Sequence, residues 1–310
     1  MSITGRKMNK YAPIVLFVYN RPDHTRQTLD ALTANYLASD SDLFIYSDAP
    51  KNQQGLESVQ AVRSLIKETQ GFKSVTVIER EKNWGLANSI IDGVTNIVNQ
   101  YGKVIVLEDD MITSPYFLTY MNDSLNLYEN NDRVASIHGY IYPVSKKLPD
   151  YFFLRGTDCW GWATWKRGWD IFNSDAQFLL DEIKRQKLEK LFNFNNSYDY
   201  TGMLKAQIEG KVSSWAIRWY ASAFLANKYT LYPGTSFVKN IGIDGSGTHC
   251  GGDTDTYRVE FPDVYKPVSL IDVCDCTRAR KTITQYLSST REKKRSILYR
   301  LLKHIKFEGK

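Results

Sequence analysis

Three carboxylates in a row, Glu108, Asp109 and Asp110, follow directly on the apolar run Val104-Ile105-Val106-Leu107. They are the residues in this chain whose type and spacing point most directly to chemistry. Like charges this close repel one another and hold on to protons unless a cation shares the site. A hard divalent ion is the simplest partner. Mg2+ and Mn2+ prefer oxygen ligands, commonly take one or two protein carboxylates, and leave positions open for substrate phosphates. A solvated strand end whose acids cap the next helix would have the same local sequence, so the elements around the acids must decide between the two.

The run from Lys103 to Leu107 is entered after Tyr101-Gly102 and is apolar without alternation, as expected of a parallel strand buried on both faces. In open α/β sheets ligands collect outside the carboxyl ends of the strands, so such a strand would deliver its acids to a binding rim. The flanking sequence repeats the pattern. Ala12 to Tyr19 reads as a strand ending in Asn20-Arg21-Pro22-Asp23; Leu29, Leu32 and Tyr36 then recur at helical spacing, with Asp23 near the start. Leu43 to Tyr46 is a strand that stops at Ser47-Asp48-Ala49-Pro50, Val59, Val62 and Leu65 mark a helix, and Val75 to Ile78 a further strand. Leu86, Ile90, Val94, Ile97 and Val98 make an amphipathic helix leading into the Lys103 strand. After the acids, Ser114-Pro115 opens a helix through Phe117, Leu118, Met121, Leu125 and Tyr128, and Val134 to His138 is a short strand. Strands alternating with helices predict an α/β fold with a doubly wound, mainly parallel sheet.

Beyond about Tyr140 the alternation fades and aromatic residues gather: Trp160-Gly161-Trp162, Trp165, Trp169, Trp215 and Trp219. The expected organisation is an α/β half over 11–140, an acceptor-side half over 141–276, and a basic amphipathic tail over 277–310. Residues Asn240 to Asp255 hold five glycines, which predicts a mobile loop able to order over a ligand. The tail carries eleven Lys and Arg against two Glu, although the whole chain is only +6. Ile283, Tyr286, Leu287, Ile297, Leu298, Leu301, Leu302 and Ile305 give it one apolar stripe with basic flanks, a pattern suited to an anionic membrane surface. Nucleic acid is not an expected partner, because the body offers no basic groove.

At 310 residues, 43% hydrophobic and 13% aromatic, the chain can bury a sizeable core. It has no apolar run long enough to span a bilayer, and Met1 to Lys10 are polar, without the apolar stretch of a signal peptide. Cys159, Cys250, Cys274 and Cys276 lack zinc-ligand spacing and read as free thiols of a reducing compartment. The expected location is the cytoplasm, with peripheral attachment to the inner face of the membrane. Neither G-x-G-x-x-G nor G-x-x-x-x-G-K-[ST] follows any strand, which argues against dinucleotide oxidoreductases and P-loop enzymes.

Leu107-Glu108-Asp109-Asp110 followed by Ser114-Pro115-Tyr116-Phe117 resembles the E-D-D-x-x-x-x-P-x-F signature of metal-dependent, nucleotide-sugar-using glycosyltransferases of the GT-A fold, most closely the N-acetylglucosaminyltransferase I family. Tyr19-Asn20-Arg21, Ser47-Asp48, Arg155-Gly156-Thr157-Asp158, Trp160-Gly161-Trp162 and Ser246-Gly247-Thr248-His249 resemble further pieces of that family in the same order. The resemblance implies a GT-A-like fold, a UDP-sugar donor, Mn2+ or Mg2+ as cofactor, and a hydroxyl of a glycan or lipid-linked glycan as acceptor. It implies that Asp110 binds the metal, Asp109 the ribose and Glu108 a hydroxyl of the transferred sugar. Arg21 and Asp48 would hold the base, and Trp160 would line the sugar pocket.

One departure stands out. The family's inverting base is an Asp directly after a Trp, in W-D-D-W, whereas Trp215-Ala216-Ile217-Arg218-Trp219 has alanine there. The base candidates are then Asp158, Asp244 and Glu209, with Trp215 and His249 kept as substrate contacts. Two rivals remain: a non-catalytic sugar-nucleotide or glycan-binding module, and a sugar-phosphate nucleotidyltransferase. The latter normally carries a Gly-rich basic loop after its first strand, which Asn20-Arg21-Pro22-Asp23 is not.

Overall fold

A computed structural model describes residues 10–245 and 254–305, the side chains of 254–255 and 292–305 excepted. The first part is built from β1 (Ile14–Val18), α1 (Pro22–Thr33), β2 (Asp42–Ser47), α2 (Leu56–Lys67), β3 (Ser74–Glu79), α3 (Leu86–Tyr101), β4 (Lys103–Glu108), β5 (Met111–Thr113), α4 (Phe117–Leu127) and β6 (Val134–His138). Then come β7 (Tyr151–Arg155), β8 (Trp162–Trp165), α5 (Lys166–Trp169), α6 (Ala176–Arg185), α7 (Glu189–Phe192), α8 (Tyr200–Ile208), α9 (Trp215–Leu225), β9 (Tyr229–Pro233), β10 (Val238–Asn240) and α10 (Thr277–Ile305).

Eight strands form one sheet in the order β3-β2-β1-β4-β8-β6-β9-β7, and β10 pairs with β5 beside it. β3, β2, β1 and β4 are mutually parallel, and β6 is parallel to β9. Only β8 and β7 oppose the rest. The mixed, mostly parallel sheet is that of a GT-A-like fold, as expected.

Strand alternation explains the two layers. Ile14, Leu16 and Val18 of β1 face a core shared with Leu29, Leu32, Val62, Ile66 and the apolar side of α4. Val15 and Phe17 face the other way, onto Ile90, Val94 and Ile97 of α3 and onto Trp162, Trp169, Trp215 and Trp219. A strand with helices on both faces has no polar side, which is why β1 and β4 read as unbroken apolar runs.

β7, β8 and β9, all from the second half, complete the same sheet, so 11–140 and 141–276 are continuous through it. These strands were not legible as such. β8 is Trp-Ala-Thr-Trp with all four residues buried, and so shows no alternation.

The first part of the tail packs on the body. α10 begins as a docked helix: Ile283 and Leu287 are 1% and 4% exposed against Ile141, Phe152, Leu154 and Tyr232. Burying an aliphatic side chain this completely contributes about 1.5–3 kcal/mol. The stripe expected on a membrane is thus, in its first part, packing surface, and the side chains of 292–310 lie outside the described residues. Among the described residues no helix is long and apolar enough to cross a membrane, and Cys159, Cys274 and Cys276 form no disulfide.

Candidate active site

β1 and β4 lie side by side, with Phe17 across from Glu108, so the residues after each strand emerge at one rim. Arg21 is the cap residue of α1, and its carbonyl accepts the Thr25 N–H at 2.9 Å. From there Arg21 Nη2 donates to Asp109 Oδ1 and, at 2.8 Å, to Asp110 Oδ2. Asp109 and Asp110 are only 4% and 8% exposed, so the ion pair is nearly dry. Their backbone is pinned as well. Thr28 Oγ1 donates to the Asp109 carbonyl at 2.8 Å, and the Ile241 N–H donates to the Asp110 carbonyl at 2.9 Å.

The electrostatics follow from burial. Desolvation works against the Arg21 charge, but Asp109 and Asp110 overcome it and hold the guanidinium above its ordinary pKa. Burial also lifts Asp109, with Arg21 opposing. Glu108 is pushed up to about 8, first by burial and then by the charges of Asp110 and Asp109. Holding its proton more tightly than an ordinary carboxyl, it can donate a hydrogen bond as well as accept one when protonated.

Asp110 Oδ1 is buried and has no hydrogen-bond partner among the described residues. An orphaned carboxylate oxygen is what a hard cation would take, so the donor set fits Mn2+ or Mg2+. The described residues include no group of three metal-ligating side chains. An ion here would therefore rest on Asp110 and draw its other ligands from substrate phosphates.

The segment after β10 lies over the pair. A Cβ at Gly242 would stand 2.1 Å from Asp110 Oδ2 and 3.0 Å from Arg21 Nη1, so only glycine permits this approach. Two residues on, Asp244 Oδ2 is 3.2 Å from His24 Nε2 in the first turn of α1.

The next strands bring a second group to the same rim. β8 pairs with β4 through Val106 and Trp162, and the Gly139 N–H donates to the Gly161 carbonyl at 2.7 Å, which places Asp158-Trp160 just past the end of β4. The Trp160 N–H donates to His138 Nε2 at 3.1 Å, and Asp158 Oδ1 is 3.9 Å from the same nitrogen. Burial holds the His138 pKa below its usual value, with Asp158 opposing. The Trp160 ring meets Tyr140 edge-on at 4.7 Å.

The other expected residues fall elsewhere. Asp48 is buried, and its carboxylate accepts the N–H groups of Ala49 at 2.9 Å, Trp84 at 2.9 Å and Gly85 at 2.8 Å. It ties the end of β2 to the start of α3 and has little acceptor capacity left for a base. An open groove of about 590 Å³ beside this loop is lined by Lys82, Asn83, Trp84, Asn88, Asp92 and Thr95 among others. Trp215 is 3% exposed and stacked on Trp162 at 5.3 Å, a core residue rather than a substrate contact. Glu209, just past α8, pairs with Lys211 at 2.6 Å and is half exposed. His249 lies outside the described residues.

Three residues of the site were not singled out in the sequence: His24, His138 and Gly242. His138 ends a strand as Glu108 does, a signal that was available. His24 follows Arg21 by three places, but nothing local ties it to Asp244. Nothing distinguishes Gly242 from the four other glycines of its loop.

The sequence pattern of glycosyl transferase family 2 matches residues 14–175, from the first residue of β1 to the cap of α6 and just over half of the chain. This chain belongs to glycosyl transferase family 2. The family span contains Arg21, Asp48, Glu108, Asp109, Asp110, Asp158 and Trp160, and ends before Glu209, Trp215 and Asp244. Among solved structures, the chain is similar to a mannosyltransferase from Pyrobaculum calidifontis in complex with GDP-Man and Mn2+, at 13% identity and a TM-score of 0.30, over 43% of this chain and 36% of that one. The chain thus spans little more than a third of that enzyme's length, and a likeness this slight carries no weight for the site. Comparison with curated proteins gives no match.

Proposed function

We propose that this family 2 protein transfers a sugar from a nucleoside diphosphate sugar, a UDP-sugar by its resemblance to the N-acetylglucosaminyltransferase I family, to a hydroxyl of a glycan or lipid-linked glycan. The observation that carries this reading is the orphaned, buried Oδ1 of Asp110, beside carboxylates held by Arg21 at the rim of a parallel sheet. Asp110 would hold Mn2+ or Mg2+. When bound, the ion supplies charge neutralisation to the diphosphate as its bond to the sugar breaks. Arg21, expected at the base, would instead grip phosphate oxygens, because its guanidinium lies on the acids at the rim. Glu108, with its proton retained near neutral pH, would bond a hydroxyl of the transferred sugar, and Trp160 would offer an apolar edge to the ring.

For the base the geometry favours Asp158. Its side chain is 28% exposed, at the rim that carries the acids, and a buried neutral His138 stands behind it. In an inverting transfer the acceptor oxygen attacks the anomeric carbon, the bond to the diphosphate breaks, and the acceptor's proton passes to Asp158. Asp244 is the second candidate, engaged with His24.

A non-catalytic binding module shares all of this except turnover, and Ala216 in place of an acid favours it. The test is release of nucleoside diphosphate from UDP- and GDP-sugars with Mn2+, alongside thermal shift. Turnover with one donor, lost together with metal-dependent donor binding in Asp110→Asn, is expected. A melting temperature that no donor moves, or donor affinity unchanged in Asp110→Asn, defeats the proposal.

A further inference from the structure

The carboxylates that would hold the metal already hold a cation, the guanidinium of Arg21. We propose that Arg21 is the resident counter-ion of Asp109 and Asp110, which a divalent ion must displace from Asp110, so that metal and nucleoside diphosphate bind together rather than metal first. The inference rests on the metal-dependent reading of the site.

One nitrogen, Nη2, serves both acids, at 2.8 Å from Asp110 Oδ2. The carboxylates are 6% and 11% exposed at their side chains, so little water screens a guanidinium from an incoming dication. Simple addition is disfavoured by that repulsion. Simple loss of Arg21 is disfavoured too, because it would leave two adjacent, buried carboxylates without neutralisation. Exchange remains. The Arg21 backbone is held at the start of α1 by the Thr25 bond, so the side chain must do the moving. A diphosphate presents the planar pairs of oxygens that a guanidinium chelates best, and so gives Arg21 a new partner as it leaves Asp110. Gly242 lies on both groups, where even a Cβ would meet Asp110 Oδ2 and Arg21 Nη1. Metal and diphosphate must then each tighten the other, since coupling between two binding equilibria is reciprocal.

The experiment is Mn2+ binding to the full chain by calorimetry or electron paramagnetic resonance, for wild type, Arg21→Gln and Arg21→Lys, with and without UDP (GDP in a parallel arm). Without nucleotide, Arg21→Gln should bind Mn2+ about tenfold tighter than wild type or better, and UDP should tighten Mn2+ binding more in wild type than in the variant. The gain should persist when salt is raised from about 0.15 to about 0.5 M, because direct displacement is not screened as distant charge is. Equal Mn2+ affinity in wild type and Arg21→Gln, or a gain that disappears at the higher salt, overturns the inference. If Arg21→Gln fails to fold by circular dichroism, Arg21→Lys is read alone, with a gain of about threefold expected and no gain counting against the inference. Absence of Mn2+ binding in every protein, with or without UDP or GDP, removes the metal-dependent reading and this inference with it. Equal Mn2+ and UDP coupling in all three removes only the role of Arg21.

Discussion

Gly242→Ala gives the site a test whose sign depends on the packing. The backbone of Gly242 is not in the left-handed region, so alanine is conformationally permitted. At such a position glycine to alanine ordinarily stabilises a protein by about 0.4–1 kcal/mol, through the entropy of the unfolded chain. Here the new methyl carbon would fall 2.1 Å from Asp110 Oδ2 and 3.0 Å from Arg21 Nη1. Neither group can yield cheaply, because each is the other's ion-pair partner and Asp110 is buried. Overpacking of this kind costs about 1–3 kcal/mol, so a net loss of about 0.5–2 kcal/mol should remain. That corresponds to a fall in melting temperature of a few degrees for a chain of this size. Displacement of the Asp110 carboxylate by the methyl should also weaken binding of Mn2+ with UDP by about tenfold or more. The assays are urea denaturation and calorimetry on the same preparations. A variant that is more stable than wild type and binds Mn2+ and UDP equally well would show that the segment after β10 does not lie on the ion pair, and the reasoning would fall.

Other outcomes are expected. Asp158→Asn should lower turnover by about 10²–10⁴-fold while donor binding is kept, measured by nucleotide release and calorimetry; equal turnover would return the base to Asp244. Ile283→Ala should cost about 2–4 kcal/mol in denaturant unfolding, because the side chain is 1% exposed; a cost near zero would mean that α10 is not docked. His138 is held below its usual pKa by burial, so it binds its proton less readily folded than unfolded. Its contribution to stability is complete above about pH 6.5 and is lost as pH falls from there through the folded value. His138→Gln should therefore show a shallower acid limb in pH-dependent unfolding, and an unchanged slope would remove the buried neutral imidazole. The 310-residue chain should co-sediment with anionic vesicles more than a chain ending at residue 291, since Lys293, Lys294, Arg295, Arg300 and Lys303 are among the residues then missing; equal sedimentation would exclude a membrane role for the tail.

Much of the frame was legible because it is written in short-range patterns. Unbroken apolar runs at Ile14–Val18 and Val104–Leu107 mark strands buried on both faces, and a run that stops in three acids marks a strand end with unpaired charge. The strands of the second half were hidden for the same reason in reverse. β8 and β9 are short and buried at every position, so no period separates them from the aromatic residues around them.

The sequence alone determined the βα alternation, the position of the acids at a strand's carboxyl end, and the apolar stripe of the tail, because each follows from neighbours within a few residues. What the acids touch was decided only by the tertiary structure. Arg21 meets Asp109 across 88 positions of chain, Gly242 lies on both Arg21 and Asp110, and Asp48 is consumed by the amides ahead of α3. Burial, not residue type, makes Trp215 core and turns Ile283 and Leu287 inward. A side chain's identity limits the chemistry it can do. Which partner it finds is set by how distant segments pack, because one ion pair in a dry site excludes every other use of the same atoms.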